Sequence, residues 1–316
     1  MMRVLRERPN TCIIVVAAAV GVLAVQGRPV GTDNAVLIGI QALIALSVGL
    51  SYGQAGILSM AQAVIAAVGG YLSAILALRF GVSPYLTLVP AIALPTALAW
   101  VLARFVTPLD HLAAALATLA LSTVVEIVAR SWDSVTGGYV GLTGVPSLPG
   151  VTTPGMFAGL VWLVVALAVF LYENLMRSAY GRALNTVRHD RARATADGVD
   201  VPALMSAGFA FAAALAGLAG WLYVHYITYM SPSSLDTHAS ISVLLMAVVG
   251  GVGYVLGPVI GTVLLSLLMH LLPAQEVQGL FFGGALVLIL LLARDGLLGY
   301  ADRTTRTWRA ARKGTA

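Results

Sequence analysis

The sequence predicts an all-α polytopic membrane protein, with about ten transmembrane helices, some open to interruption, and both termini cytoplasmic. Three observations carry that expectation. Only 10% of the 316 residues are charged, where a soluble domain carries about 25%. Apolar residues make up 59%, too many for a water-soluble surface to cover and too many for a disordered chain. The cations are also unevenly placed. With the N-terminus inside, 15 of the 18 Lys and Arg fall on the cytoplasmic side and only Arg28, Arg79 and Arg130 outside, a strong positive-inside bias.

Ten apolar segments follow in order, at about 11–27, 35–52, 57–78, 84–103, 111–129, 156–173, 203–225, 239–255, 258–272 and 279–293. A spanning helix needs about 20 residues, so several are short. The segments ending near Tyr52 and Val255 are followed almost at once by the next. These are either tight reversals, near 53–56 and 254–257, or helices broken inside the membrane. Eight spans with two interrupted elements is the rival count. The first segment is expected to stay as a helix, because its exit, Ala24-Val25-Gln26-Gly27-Arg28, lacks a small-x-small cleavage pattern.

The chain reads as a single transmembrane domain, 1–316, with an extracytoplasmic loop at 130–155, a cytoplasmic loop at 174–202 and a basic tail at 294–316. Within the inner loop, residues 182–197 are polar enough for a short helix at the membrane surface, punctuated by Gly181, Gly198 and Pro202.

Chemistry is excluded as firmly as topology is indicated. No phosphate-cradling G-x-x-x-x-G-K-[ST] pattern occurs, and the one lysine is Lys313 in the tail, so the chain does not hydrolyse ATP by itself. An ion-coupled carrier places carboxylates in the bilayer. Here only Glu126 lies well inside a segment, near its outer end, with Glu173 at the inner end of another; a hydrogen-bonded helix-end role suits Glu126 best. His225, His238 and His270 sit at segment ends without ligand spacing. Cys12 alone supports neither a disulfide nor a cysteine metal site. No catalytic constellation is present, no cofactor is expected, and Trp100, Trp132, Trp162 and Trp221 read as interfacial anchors. Glycine pairs recur at 53–56, 69–70, 137–138, 217–220, 250–253 and 257–261, suited to close helix packing or to helix breaks. Those at 53–56 and 250–253 occupy similar places in the two halves.

Four stretches together resemble the permease subunits of branched-chain amino acid type ABC importers, the Liv-type family, in the half of the pair with the longer outer loop. They are SYGQAGILSMAQAVIAAVGGY (51–71), TLALSTVVEIVARSWDSVTGGYVGLTGVP (118–146), SAYGRALNTVRHDRARATADGVDV (178–201) running into AFAAALAGLAGWLYVHYITYMSP (210–232), and SISVLLMAVVGGVGYVLGPVIGTVLL (240–265). The resemblance implies a plasma-membrane importer subunit, not itself an enzyme. It would work with a homologous second permease, two cytoplasmic ATPases that bind the ATP, and an extracytoplasmic solute-binding protein. Implied cargoes are branched-chain and other amino acids, urea, short amides and some carboxylates; fold kinship does not choose among them. The resemblance also implies an ATPase-coupling helix at Asp190, Arg191, Arg193, Ala194, Ala196 and Gly198. Here the chain departs from the family's usual acidic residue at Arg191, Ala at Arg193 and apolar residue at Asp197. The competing function is a self-sufficient channel or facilitator for a small neutral solute such as urea.

A neutral or zwitterionic solute needs hydrogen-bonding groups along its path, and polar side chains in lipid must face the bundle interior. Gln54, Ser59, Gln62, Thr118, Ser122 and Ser240 are the expected lining, with Met246 as an apolar wall. Helix–helix hydrogen bonding is the competing role for these groups.

Overall fold

The computed structural model describes residues 29–271 and 296–300, together with Thr11 and Gly284. The expected segments at 11–27 and 279–293, and the basic tail beyond residue 300, lie outside the described residues. Helix dominates. Six helices are long and apolar enough to cross a membrane, and two shorter apolar helices stand where the segments at 239–255 and 258–272 were expected. Ten full spans are thus not reached within the described residues.

Helix α1 (Pro29–Val48) continues without a stop as a wider π-type turn over Gly49–Gln54. It is apolar all round, which suits a helix enclosed by others, and Val36, Leu43, Ile44 and Leu46 are fully buried. The chain then runs without helix from Ala55 to Ala61 and resumes as α2 (Gln62–Phe80). Gly81, at φ 62°, ends α2 in a left-handed turn that only glycine adopts without strain. Next come α3 (Pro84–Val106) and α4 (His111–Ser131). Much of their surface is bare apolar side chain, including Leu86, Val89, Phe105, Leu116 and Ile127. In water this would be a fault, but in lipid it is the expected exterior.

The segment predicted as the outer loop, 130–155, is partly structured. It contains the short helix α5 (Asp133–Thr136) and the two-residue strand β1 (Leu142–Thr143). Helix α6 (Pro154–Arg177) returns across the bundle. The inner polar region is two helices where one was expected: α7 (Ala179–His189) and α8 (Arg191–Ala196). Asp190 separates them because its extended backbone ends the first helix while its carboxylate caps the second. The long α9 (Val201–Ile227) follows, then β2 (Tyr229–Met230), which pairs antiparallel with β1, Leu142 opposite Met230. Helices α10 (Thr237–Gly250) and α11 (Gly257–Leu271) complete the described bundle. At 14 residues α10 is about 21 Å long, short of a hydrocarbon core of about 30 Å.

Close packing explains the glycines. A Cβ on Gly220 of α9 would come 1.8 Å from the Ala66 carbonyl of α2. Pro95 cannot donate to the Ala91 carbonyl in α3. Gly69 and Gly217 pack against that oxygen, where a Cβ would lie at 2.7 and 2.5 Å. Likewise α10 and α11 touch backbone to backbone at Gly250, Gly257 and Gly261.

Six carboxylates among the described residues serve the structure. Asp110, Asp190, Asp200 and Asp236 each accept a backbone N–H at a helix start, at 2.7, 3.0, 3.1 and 2.8 Å, satisfying donors a helix leaves unpaired. Glu126 pairs with Arg130 and accepts the Thr237 hydroxyl at 3.1 Å, the hydrogen-bonded role expected of it. Glu173 pairs with Arg177 at 2.8 Å.

Two tryptophans depart from the anchoring role. Trp221 is 5% exposed and donates to the Pro84 carbonyl at 3.0 Å, and Trp162 donates to Ala35 at 3.1 Å. Both tie helices together. A position near a helix end does not reveal whether the ring faces lipid or a neighbouring helix.

Candidate functional site

The non-helical residues 55–61 lead back into the bundle between α1 and α2, and Met60 lies beside Thr118. That residue is seven positions into α4, about 10 Å from the helix start. Backbone there is tolerated only if its polar groups find partners within the protein, and the partners are side chains. Met60 N–H donates to the Thr118 hydroxyl at 3.0 Å, and Ser122 donates to the Met60 carbonyl at 3.2 Å. Ser59 accepts from Ala61 N–H at 3.3 Å. Ser240 accepts from Ala63 and Val64 N–H at 3.1 and 3.3 Å, capping α2 from the start of α10. Gln62 accepts from Ser47 at 3.1 Å, while its amide nitrogen, in a residue 1% exposed, has no partner among the described residues.

Five of the residues expected to line a path, Ser59, Gln62, Thr118, Ser122 and Ser240, therefore converge on one interruption. Gln54 lies at its other end, donating to the Gly253 carbonyl at 3.4 Å. Met246 is not part of this group; it packs with Val249 and Leu265 in a separate apolar cluster.

A second interruption abuts the first. Residues 251–256 turn α10 into α11, with Tyr254 N–H on Gly251 O and Gly257 N–H on Tyr254 O, both at 3.1 Å. Gly53 meets this turn so closely that a Cβ on it would lie 1.9 Å from the Val252 carbonyl. The two glycine pairs that sit alike in the two halves of the chain are thus in contact. The first is a seven-residue non-helical link between α1 and α2, and the second a tight turn.

Removing a hydroxyl from this cage exposes a backbone donor in a dry setting, which costs about 1–3 kcal/mol. Thr118→Val should lower the unfolding free energy by about that amount, read by thermal melting in detergent, whereas Thr118→Ser should keep most of it. Equal losses would mean that the hydroxyl contributes nothing.

Helices α7 and α8 lie at the end of the bundle where α6 ends. Ser178 caps α7 by accepting from Gly181 N–H at 3.3 Å. Leu184 and Val187 face the bundle. Tyr180 donates to Leu204 O at 2.7 Å, and burial pushes its phenol up to about 12, so it stays neutral. The short α8 is secured at both ends. Asp190 caps its start. At its close, Val199 N–H reaches Ala194 O and Gly198 N–H reaches Thr195 O, both at 3.0 Å, with Gly198 at φ 80°; this paired closure needs a left-handed residue. Ala194 is fully buried beside Val187, Val201 and Met205, while Asp190, Arg191, Arg193, Ala196 and Gly198 are exposed. Arg191 donates to Thr107 O at 3.5 Å.

A buried network at the opposite end was not foreseen. His225 Nδ1 lies 2.7 Å from the Pro146 carbonyl, which can only accept, so Nδ1 carries the proton. Nε2 then accepts from Ser73 at 2.8 Å, and Thr87 lies 2.6 Å from Ser73. Polar residues at 73, 87 and 225 within apolar runs were the available signal.

Comparison with known proteins decides the family. The pattern described as "Branched-chain amino acid transport system / permease component" matches residues 30–291. This chain belongs to that permease family. The High-affinity branched-chain amino acid transport system permease protein LivM of Escherichia coli (strain K12) is 27% identical over 315 residues, covering 89% of this permease and 73% of the relative. The Probable branched-chain amino acid transport permease protein LivM of Methanocaldococcus jannaschii is 26% identical, covering 82% and 90%. LivH of Escherichia coli (strain K12) is 25% identical, covering 82% and 91%. No solved structure matches. The permease is accordingly a multi-pass protein of the plasma membrane.

Proposed function

We propose that this permease is the membrane-spanning subunit of an ATP-driven importer for small polar solutes, branched-chain or related amino acids first among them. It pairs with a second, homologous permease, a reading supported by its likeness to both LivM and LivH. Two cytoplasmic ATPases bind the ATP, and an extracytoplasmic protein delivers the solute. The end bearing α7 and α8 faces the cytoplasm, in keeping with the arginine distribution. The polar groups at the junction of the two interruptions serve the solute path when the bundle opens, with the Gln62 amide nitrogen as a ready donor.

The observation that carries this reading is α8. A six-residue helix closed at both ends, with Ala194 locked into the bundle and Arg191 and Arg193 exposed, is a rigid knob able to pass a push from one subunit to another. Charge complementarity across such a contact fixes partner choice more than raw affinity. Replacing both arginines with Gln leaves Arg177, Arg182 and Arg188 to hold orientation. ATPase co-purification or substrate-stimulated ATP hydrolysis should then fall at least several-fold, with membrane insertion normal. A fully assembled and stimulated complex carrying both changes would reduce the arginines to topology or lipid contact.

A further inference from the structure

A cavity of about 300 Å³ opens between α7–α8 and the two interruptions. Its polar wall is made by Tyr52, His111, Arg188, His189 and Arg191, with Val252 of the second turn beside them. Among the described residues no Asp or Glu lines it. Asp190 and Asp197 line an adjoining hollow with Arg193 that shares His189, and Asp110, next to His111, caps α4.

The guanidinium of Arg188 is placed by a glycine. It rests against Gly253, where a Cβ would lie 3.3 Å from Nη2, and it makes no ion pair among the described residues. Arg191 is steadied by its bond to Thr107 O. His189 Nδ1 lies 2.7 Å from the Asn185 carbonyl and so donates to it, which leaves Nε2 uncommitted. Two guanidiniums and two imidazoles around a concave space, with no acid among its described lining residues, form a site for an anion. A planar guanidinium matches a carboxylate through two parallel hydrogen bonds.

We propose that this cavity is a product-side binding site for a small carboxylate, which receives the carboxylate end of the solute as it leaves the junction. The assignment rests on the importer reading for the identity of the occupant. The described lining offers an ammonium group no acid, so simple carboxylates should occupy the cavity as well as amino acids do.

The test uses the full chain alone, in nanodiscs of phosphatidylcholine, with Cys12→Ser and Val252→Cys. Rates of modification by an anionic and a cationic methanethiosulfonate are normalised to those of mercaptoethanol. The anionic reagent should be favoured about tenfold, since a charged cleft concentrates its counter-ions. Arg188→Gln with Arg191→Gln should bring that preference close to one. Millimolar propionate should slow the anionic reagent, and propionamide should not. Thermal stabilisation of the chain with native Val252 by propionate, lost in the double Gln variant, provides the same reading without the engineered thiol. Equal normalised rates, equal protection by propionamide, or protection that needs phosphatidylglycerol in place of propionate would each overturn the proposal. Because no ATPase is present, such a failure leaves the importer reading standing. Loss of ATPase co-purification would likewise leave this result untouched.

Discussion

Gly53→Ala is expected to abolish transport and to destabilise the permease, although it adds a single methyl group. The added Cβ would lie 1.9 Å from the Val252 carbonyl, a backbone atom that cannot rotate away. One interruption must then move off the other. Overpacking of a fitted interior costs about 1–3 kcal/mol, and a clash with main chain belongs at or above the top of that range. Gly56→Ala is the control. Gly56 has φ 72° and open space, with nothing within 4 Å of where its methyl would stand, so the change costs only left-handed strain of about 1–2 kcal/mol. Melting temperature and ATP-dependent uptake should separate the two, with Gly53→Ala inactive and Gly56→Ala active but less stable. Similar behaviour of both variants would show that the contact between the interruptions is incidental.

The second large effect is expected at His225. Its ring joins the Pro146 carbonyl of the segment after β1 to Ser73 in α2, and Ser73 continues to Thr87 in α3. His225→Phe keeps the bulk and removes both bonds, leaving the Pro146 carbonyl without its donor and Ser73 with Thr87 alone, at about 1 kcal/mol for each bond lost. The melting temperature should fall clearly, and proteolysis between Gly137 and Gly150 should quicken as that segment comes loose. His225→Gln, which can keep one of the two bonds, should fall between Phe and the native residue. A Phe variant of native stability would show that the network carries no weight.

The spans were legible because apolar runs of this length have few other uses. Helix starts were less legible: Asp110, Asp200 and Asp236 prove to be caps, a role their polar character alone did not announce. The inner polar helix was foreseen, but its division was not. Asp190 reads equally well as one more polar residue of a helix over 182–197, and only tertiary contact through Ala194 decides for the break. The glycine pairs marked both interruptions without separating a break from a turn, because glycine serves each equally. The hydroxyls were harder still. A Thr or Ser on the inner face of a helix has the same spacing whether it meets a solute or an unpaired N–H, so Thr118, Ser122 and Ser240 were found while their backbone partners were not. Met246 was drawn into the group by position along α10, and helix rotation carries it elsewhere. The basic cavity joins residues 52, 111, 188 and 252, a grouping that exists only once the helices are packed.

Uptake into proteoliposomes tests the central claim most directly. The permease is reconstituted alone, and then together with the proposed second permease, ATPases and solute-binding protein, with labelled leucine, isoleucine, valine and urea supplied in turn. Accumulation of an amino acid against its gradient, only in the complete assembly and only with ATP, is the result expected. Equilibration of a solute through the permease alone, without ATP, would contradict the account and identify a self-sufficient facilitator.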